Sequence, residues 1–284
     1  MNQKITKKVR APVRIDFAGG TTDIEPFVSR HHGCVLNAAI NKYVTGILVA
    51  DSKKTHLEYT GNIPTSSGLG TSGVMNLVWL ALISKEKDKK KLAENVYKLE
   101  QSQGLIGGKQ DQYASALGGI NFLEFNKGEV KITSLNRNKR LIQELENHLV
   151  LVYTGKPHFS GNSNKKMIDN IISGKNIQNL IRIKNIAIEM KNSLLLGNLD
   201  RFAELMNEET ENRKKLHYSI VPERIESIIE KSRENGAIAA KICGSGGGGS
   251  ILFYGDKKRL KNYFKDKIID FKFDFKGLEW INSG

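Results

Sequence analysis

Apolar and polar positions change their period several times along the chain, and each change predicts an element. β-Branched and apolar residues predict strands over 9–17, 34–49 and 55–59, the middle one long enough to read as a pair joined by a turn. A glycine-rich turn over 61–73 leads into 74–84, which is apolar on every side and predicts a centrally buried helix. Residues 88–103 switch to helical spacing, with Asp88 as N-cap and Leu92, Val96 and Leu99 along one face. Short strands are predicted over 119–125, 129–133 and 149–153.

Beyond 153 the texture changes. Residues 154–164 read as a loop, and helical periodicity runs from 165 to 235, with Pro222 suited to a first turn and Gly236 to a stop. Residues 237–242 and 250–254 predict strands around a glycine run, and 268–275 alternates as a closing strand. Strands mixed with helices, then helices followed by strands, predict an α+β fold of two domains, 1–155 and 156–284.

A chain of 284 residues suits one large or two medium domains, and 39% hydrophobic with 26% charged residues excludes wholesale disorder. No apolar run reaches the ~18–20 residues of a membrane span. The basic start lacks the apolar stretch of a secretory signal, so a cytoplasmic protein without membrane partners is expected. Two cysteines, Cys34 and Cys243, far apart in sequence, exclude a disulfide framework or a cysteine-built zinc site and read as buried small hydrophobes. The net charge of +14 favours anionic partners, but the basic residues are scattered. No run interleaves them with aromatics, so nucleic acid is not expected, whereas phosphorylated metabolites fit.

Four segments carry candidate chemistry. Residues 64–73, Pro-Thr-Ser-Ser-Gly-Leu-Gly-Thr-Ser-Gly, open directly into the buried helix. Their glycines let amides approach an anion at a helix N-terminus, and Thr71 and Ser72 add hydroxyls; an ordinary Gly/Ser cap is the plain alternative. Residues 241–250, Lys-Ile-Cys-Gly-Ser-Gly-Gly-Gly-Gly-Ser, hold five glycines in six positions between strands, which points to close approach of a ligand or another backbone. In 107–113, Gly-Gly-Lys-Gln-Asp-Gln-Tyr, Asp111 is either a helix cap or a general base, and Glu100 lies either on a surface rim or toward a cation. In 10–23, a strand delivers Arg14 and Asp16 on one face to the Gly19-Gly20 turn with Asp23 beyond; a mutual surface pair is the plain alternative.

In this order, the segments 10–23, 64–73 and 241–250 resemble the three motifs of the GHMP kinases, over nearly the whole chain. The wording of 17–23, 37–43, 107–113, 212–216 and 244–249 resembles the heptose 7-phosphate kinase-like sugar kinases within that superfamily. Thr71-Ser72-Gly73 departs from the usual Ser-Ser-Ala, and 154–160 lacks an Arg near His158. The resemblance implies the GHMP kinase fold, an N-terminal domain like ribosomal S5 domain 2 and a C-terminal ferredoxin-like α/β sandwich. It implies ATP and Mg²⁺ as cofactors and transfer of the γ-phosphoryl group to a sugar hydroxyl, the anomeric one of a heptose 7-phosphate-like sugar. Galactokinase, another sugar-1-kinase or mevalonate kinase is the alternative, and the expected assembly is a monomer or homodimer.

By the same resemblance, Asp111 and Arg14 are catalytic, and Ser72 and Glu100 hold the metal. Pro64, Ser66, Ser67, Gly68, Leu69, Gly70, Thr71, Ser72 and Gly73 line the ATP phosphates. Asp16, Gly20, Asp23, Lys109, Gly244, Ser245, Gly246 and Gly247 face the acceptor. Lys109, Lys214, Lys215 and His217 are candidates for an acceptor's second phosphate.

Overall fold

The computed structural model describes residues 5–51, 53–64, 66–156, 168–170 and 172–281. The chain starts with two long antiparallel strands, β1 (Ile5–Ala18) and β2 (Gly33–Ala50), with the short helix α1 (Phe27–His31) between them. The expected hairpin over 34–49 is instead the single strand β2. Its first eight residues are buried, and from Val44 the burial alternates, so one strand serves first a two-sided and then a one-sided core. β3 (Thr55–Gly61) returns along the outer half of β2, while β4 (Ile120–Asn126) and β5 (Glu129–Ser134) extend the sheet from its inner half. The order is β5-β4-β2-β1-β9, where β9 (Glu279–Ile281) comes back from the far end of the chain to pair with β1.

Three helices lie between β3 and β4. α2 (Thr71–Ile83) is the helix expected from its all-round apolarity, and Val74, Leu77, Val78 and Leu82 are fully buried. α3 (Lys89–Ser102) begins where Asp88 accepts from the backbone N–H of Lys90 and Lys91, a cap worth about 1 kcal/mol. α4 (Gln110–Leu117) follows the Gly107-Gly108 step.

The second sheet is built from β6 (Leu149–Tyr153), β7 (Ala237–Ile242) and β8 (Ser250–Gly255), ordered β6-β8-β7 and antiparallel. Alternate residues of β6 and β8 serve different cores. Leu149, Leu151, Leu252 and Tyr254 join the core shared with the first sheet, whereas Val150, Val152, Ile251 and Phe253 pack in a second cluster. Helices α6 (Ile177–Leu195), α7 (Leu199–Lys214) and α8 (Glu223–Glu234) connect β6 to β7, and α6 also packs on β2. The amphipathic helices α5 (Lys139–His148) and α9 (Lys257–Phe264) were not expected from the sequence.

The expected closing strand over 268–275 does not form. Ile268 makes a single bridge to Val152 and Phe273 one to Ile40, so this segment crosses from the second sheet to the first. With Ile268 on the free side of β6, the second sheet has the ferredoxin-like order with its last strand reduced to a bridge. The chain passes between the sheets at more than one place: β6 precedes residue 155 yet belongs to the second sheet, and β9 rejoins the first.

Candidate active site

The site forms where three backbones meet: the end of β1, the loop before α2 and the start of α4. Arg14 on β1 is 4% exposed. Its Nε donates to Asp111 Oδ1 at 2.7 Å, its Nη1 to the Gly68 carbonyl at 2.7 Å, and its backbone N–H to the Leu69 carbonyl at 3.1 Å. The alternative of a surface pair with Asp16 is therefore excluded. Burial opposes the Arg14 charge, but Asp111 and Asp16 outweigh it and hold its pKa above the ordinary value. Asp111 sits in the first turn of α4, whose N-cap is Lys109 without a side-chain cap bond. Asp111 is thus not the cap, and about a quarter of its side chain stays open to solvent.

The loop over 64–73 approaches this pair closely. A Cβ on Gly70, which has φ +77°, would lie 3.0 Å from Asp111 Oδ2. Gly70 is also the N-cap of α2 and supplies no side-chain acceptor, so the first-turn N–H groups are available to an anion. Ser67 Oγ and Thr71 Oγ1 are buried without a hydrogen-bond partner. Ser66 and Ser72 are exposed, Pro64, Gly68 and Gly70 half-buried, and Gly73 buried. Leu69 is fully buried in the core, which makes its side chain an anchor for the loop. The loop rests on the glycine run between β7 and β8. A Cβ on Gly68 would fall 2.6 Å from the Cys243 carbonyl oxygen, and one on Gly249 2.7 Å from that of Ser67. The glycines over 244–249 therefore permit backbone-on-backbone packing.

Glu100 accepts from Asn76 Nδ2 at 2.8 Å and from Gln112 Nε2 at 2.6 Å. Asn76 lies one turn beyond Ser72 on α2, so the two share a face. Burial pushes the Glu100 carboxyl above its usual range, a penalty that a cation relieves. Among the described residues no three His, Cys, Asp or Glu cluster as a metal cage. One carboxylate and one hydroxyl beside a glycine loop at a helix N-terminus fit Mg²⁺ shared with a nucleotide, an oxygen-only set completed by phosphate and water.

The expected acceptor residues divide. Asp23 is buried; its Oδ2 accepts from the Gln110 N–H at 3.0 Å while Oδ1 has no partner. Burial pushes its pKa up to about 6, with the Asp111 charge adding to the effect. Gly108 is required beside it, since a Cβ there would fall 1.9 Å from Asp23 Oδ2. Lys109 is drawn away: its Nζ contacts both Glu94 carboxylate oxygens at 2.9 and 3.0 Å and lies over the Tyr97 ring. Gly246 and Gly247 pack on Ile220, Gly247 donating to its carbonyl at 2.8 Å, and Ser245 lies between them and Gly244.

Asp16 belongs to a buried network that sequence reasoning missed. Its Oδ2 accepts from Lys241 Nζ at 2.8 Å, and Gly244 N–H approaches Oδ1 at 3.4 Å. Lys241 lies 3.7 Å from Glu209 Oε2, and Glu209 Oε1 accepts from Arg213 Nη2 at 2.5 Å. Arg213 Nη2 also donates to the Gly20 carbonyl at 2.8 Å, and Nη1 to Thr21 Oγ1 at 3.3 Å. Two acids and two bases, all buried, join the end of β1 and the Gly20-Thr21 turn to α7 and β7. Burial alone would raise the Asp16 pKa; Lys241, Arg14 and Arg213 reverse this and hold it well below the carboxylate range. The sequence signals were the Glu209–Arg213 spacing of four on a helix and the Lys that opens the glycine run. Cys243 is buried beside this network, and burial pushes its thiol up to about 12, which keeps it inert. The position of His158 lies outside the described residues.

Two family models match the chain: the GHMP kinases N terminal domain over residues 33–119 and the GHMP kinases C terminal domain over 190–268, together more than half of it. The D-glycero-alpha-D-manno-heptose 7-phosphate kinase of Campylobacter jejuni is 27% identical over 96% of this chain and 98% of its own length. The bifunctional fucokinase/GDP-fucose pyrophosphorylase of Arabidopsis thaliana is 24% identical over 96% of this chain, which spans 32% of that protein. Among solved structures, a D-glycero-D-manno-heptose 1-phosphate kinase from Bacteroides thetaiotaomicron superposes with a TM-score of 0.76, at 22% identity, over 99% of this chain and 100% of that one. The Lactococcus lactis galactokinase superposes with a TM-score of 0.69, at 16% identity, over 97% and 95%. No helix among the described residues is long and apolar enough to cross a membrane.

Proposed function

The chain belongs to the GHMP kinases, and from that premise we propose that it transfers the γ-phosphoryl group of ATP to the anomeric hydroxyl of a heptose 7-phosphate-like sugar. The observation that carries the reading is the Arg14–Asp111 contact of 2.7 Å, made where the phosphate loop meets α4. Nε and Nη1 of Arg14 are already committed, to Asp111 and to the Gly68 carbonyl. Nη2 is left to stabilise charge gathering on the transferring phosphoryl group. Asp111 receives or orients the acceptor's hydroxyl proton. The first turn of α2 and the hydroxyls of Ser67 and Thr71 hold the nucleotide phosphates, while Ser72 and Glu100 hold Mg²⁺ against them. When bound, Mg²⁺ neutralises phosphate charge as it shifts toward the leaving group. Asp23 and the turn at Gly20 face the sugar.

ADP release from Mg-ATP, measured against heptose 7-phosphate, galactose, fucose, mevalonate and homoserine, tests the reading. Turnover with the heptose phosphate, falling by about two to three orders of magnitude in Asp111→Asn while ATP binding persists, supports it. Full turnover in Asp111→Asn removes that residue from the mechanism, and loss of ATP binding in the wild-type chain refutes the kinase.

A further inference from the structure

The sequence points to Lys214, Lys215 and His217 for a second phosphate, yet it is their neighbour Arg213 that reaches the Gly20-Thr21 turn. Lys214 Nζ is held between Glu211 at 2.8 Å and Glu226 at 2.6 Å, while Lys215 and His217 line a surface cleft. Arg213 is 1% exposed. Glu209 Oε1 fixes its plane, accepting from Nε at 2.9 Å and from Nη2 at 2.5 Å, and the fork then carries Nη2 to the Gly20 carbonyl and Nη1 to Thr21 Oγ1. Thr21 is the strained partner. Its φ is +81°, and of the five non-glycine residues with positive φ among those described it alone is both β-branched and buried. A β-branched side chain crowds the backbone there and persists only where the surroundings over-determine it. Arg213 does so from one side. From the other, Thr22 Oγ1 donates to the Gly19 carbonyl at 2.7 Å and accepts from the Cys34 N–H at 3.1 Å.

The turn fixed in this way touches the helix of Asp111 at two points. Asp23 Oδ2 accepts from the Gln110 N–H at 3.0 Å, and a Cβ on Gly20 would lie 3.1 Å from Gln110 Nε2. Gln110 is the residue before Asp111. We propose that Arg213 is a positioning residue: acting through the strained Thr21, it fixes the turn and thereby the acceptor's place against Asp111. The inference rests on the sugar kinase reading, and it makes acceptor binding depend on a side chain of α7, 192 positions from the turn. The effect falls on the acceptor rather than on ATP, because the loop over 64–73 is held instead by Arg14, by the buried Leu69 and by the glycine run.

Steady-state kinetics and urea unfolding test it in Thr21→Val, Thr21→Ser, Thr21→Gly, Arg213→Lys and the pair Thr21→Val with Arg213→Lys, using the acceptor that the wild-type chain turns over fastest. Lysine keeps a charge beside Glu209 but cannot fork to Gly20 and Thr21. Arg213→Lys and Thr21→Val each raise the acceptor KM about 10–100-fold, the scale of a small misplacement, while the ATP KM holds. Thr21→Ser, which keeps the hydroxyl, recovers most of the loss, and the pair is no worse than Arg213→Lys alone. Thr21→Gly unfolds at higher urea than Thr21→Val, the reverse of their order at an ordinary position, yet binds the acceptor no better. Should Arg213→Lys not fold, the three Thr21 variants decide alone. An unchanged acceptor KM in Thr21→Val overturns the inference and leaves the kinase standing. So do additive effects in the pair, and so does an equal loss for acceptor and ATP, the mark of a general structural role. Thr21→Gly unfolding at lower urea than Thr21→Val removes the strain on which the inference stands. Silence of the wild-type chain toward every acceptor brings down both this inference and the kinase reading.

Discussion

Asp23 is the residue whose removal separates stability from activity most sharply. It is buried, one carboxylate oxygen lacks a partner, and Gly108 is packed against the other. Raising its pKa from 3.8 to about 6 costs the folded state about 3 kcal/mol, at ~1.36 kcal/mol per pH unit, once the group is ionised. The sign follows from the direction. The folded chain holds the proton more tightly than the unfolded chain, so stability falls as pH rises through the window from about 4 to 6, and the cost is complete above it. In Asp23→Asn the side chain cannot ionise, yet its amide oxygen still accepts from Gln110. Urea unfolding at pH 7.5 should therefore find the variant more stable by up to about 3 kcal/mol, with the gain vanishing near pH 4. On the proposed role of Asp23 toward the sugar, the same variant should also raise the acceptor KM, because a carboxylate has become an amide. A stability difference that is flat between pH 4 and 8 would refute the reasoning, since burial of a charge would then not be its source.

Two further outcomes follow from the packing around the site. Lys241→Met removes the ammonium that pairs with the buried Asp16 carboxylate, while Glu209 keeps Arg213, and should cost about 3–5 kcal/mol, read as a lower urea midpoint; an additional Asp16→Asn should recover part of the loss. Gly68→Ala puts a Cβ 2.6 Å from the Cys243 carbonyl oxygen at a residue with φ +76°; it should lower the melting temperature and raise the ATP KM, both by separating the two glycine loops.

Local pattern carried much of the architecture. α2 was legible because nothing polar interrupts its buried face, and α3 because Asp88 caps an amphipathic run. Elements set by distant partners were not legible. Asn41-Lys42-Tyr43 looks like a turn, yet β2 runs through it because β1 pairs along nearly its whole length, absorbing a bulge between Pro12 and Val13. Residues 268–275 alternate as a strand should, but they have one pairing partner in each sheet and so extend neither. α5 and α9 are short and dominated by charge, which hid their apolar faces. At the site, the motif wording pointed to Arg14 and Asp111, which the fold brings together across 97 positions. Lys241 and Asp16, 225 positions apart, pair because the two sheets meet there, and no local pattern in the sequence encodes that contact.

The return of the chain to its first sheet makes the site depend on residues remote in sequence from its motifs. β9 completes the edge of β1, Glu279 holds Arg10, and the segment from Asp274 to Leu278 clasps the end of α4 through the Gly119 N–H and the Ala116 carbonyl. Asp111 stands at the other end of that same helix. A nascent chain that has already made both glycine loops therefore still lacks the support for the helix that carries Asp111, and the open edge of β1 remains available to other strands. A chain stopped before residue 274 would carry every candidate motif of the site without the backbone bonds that brace the far end of α4.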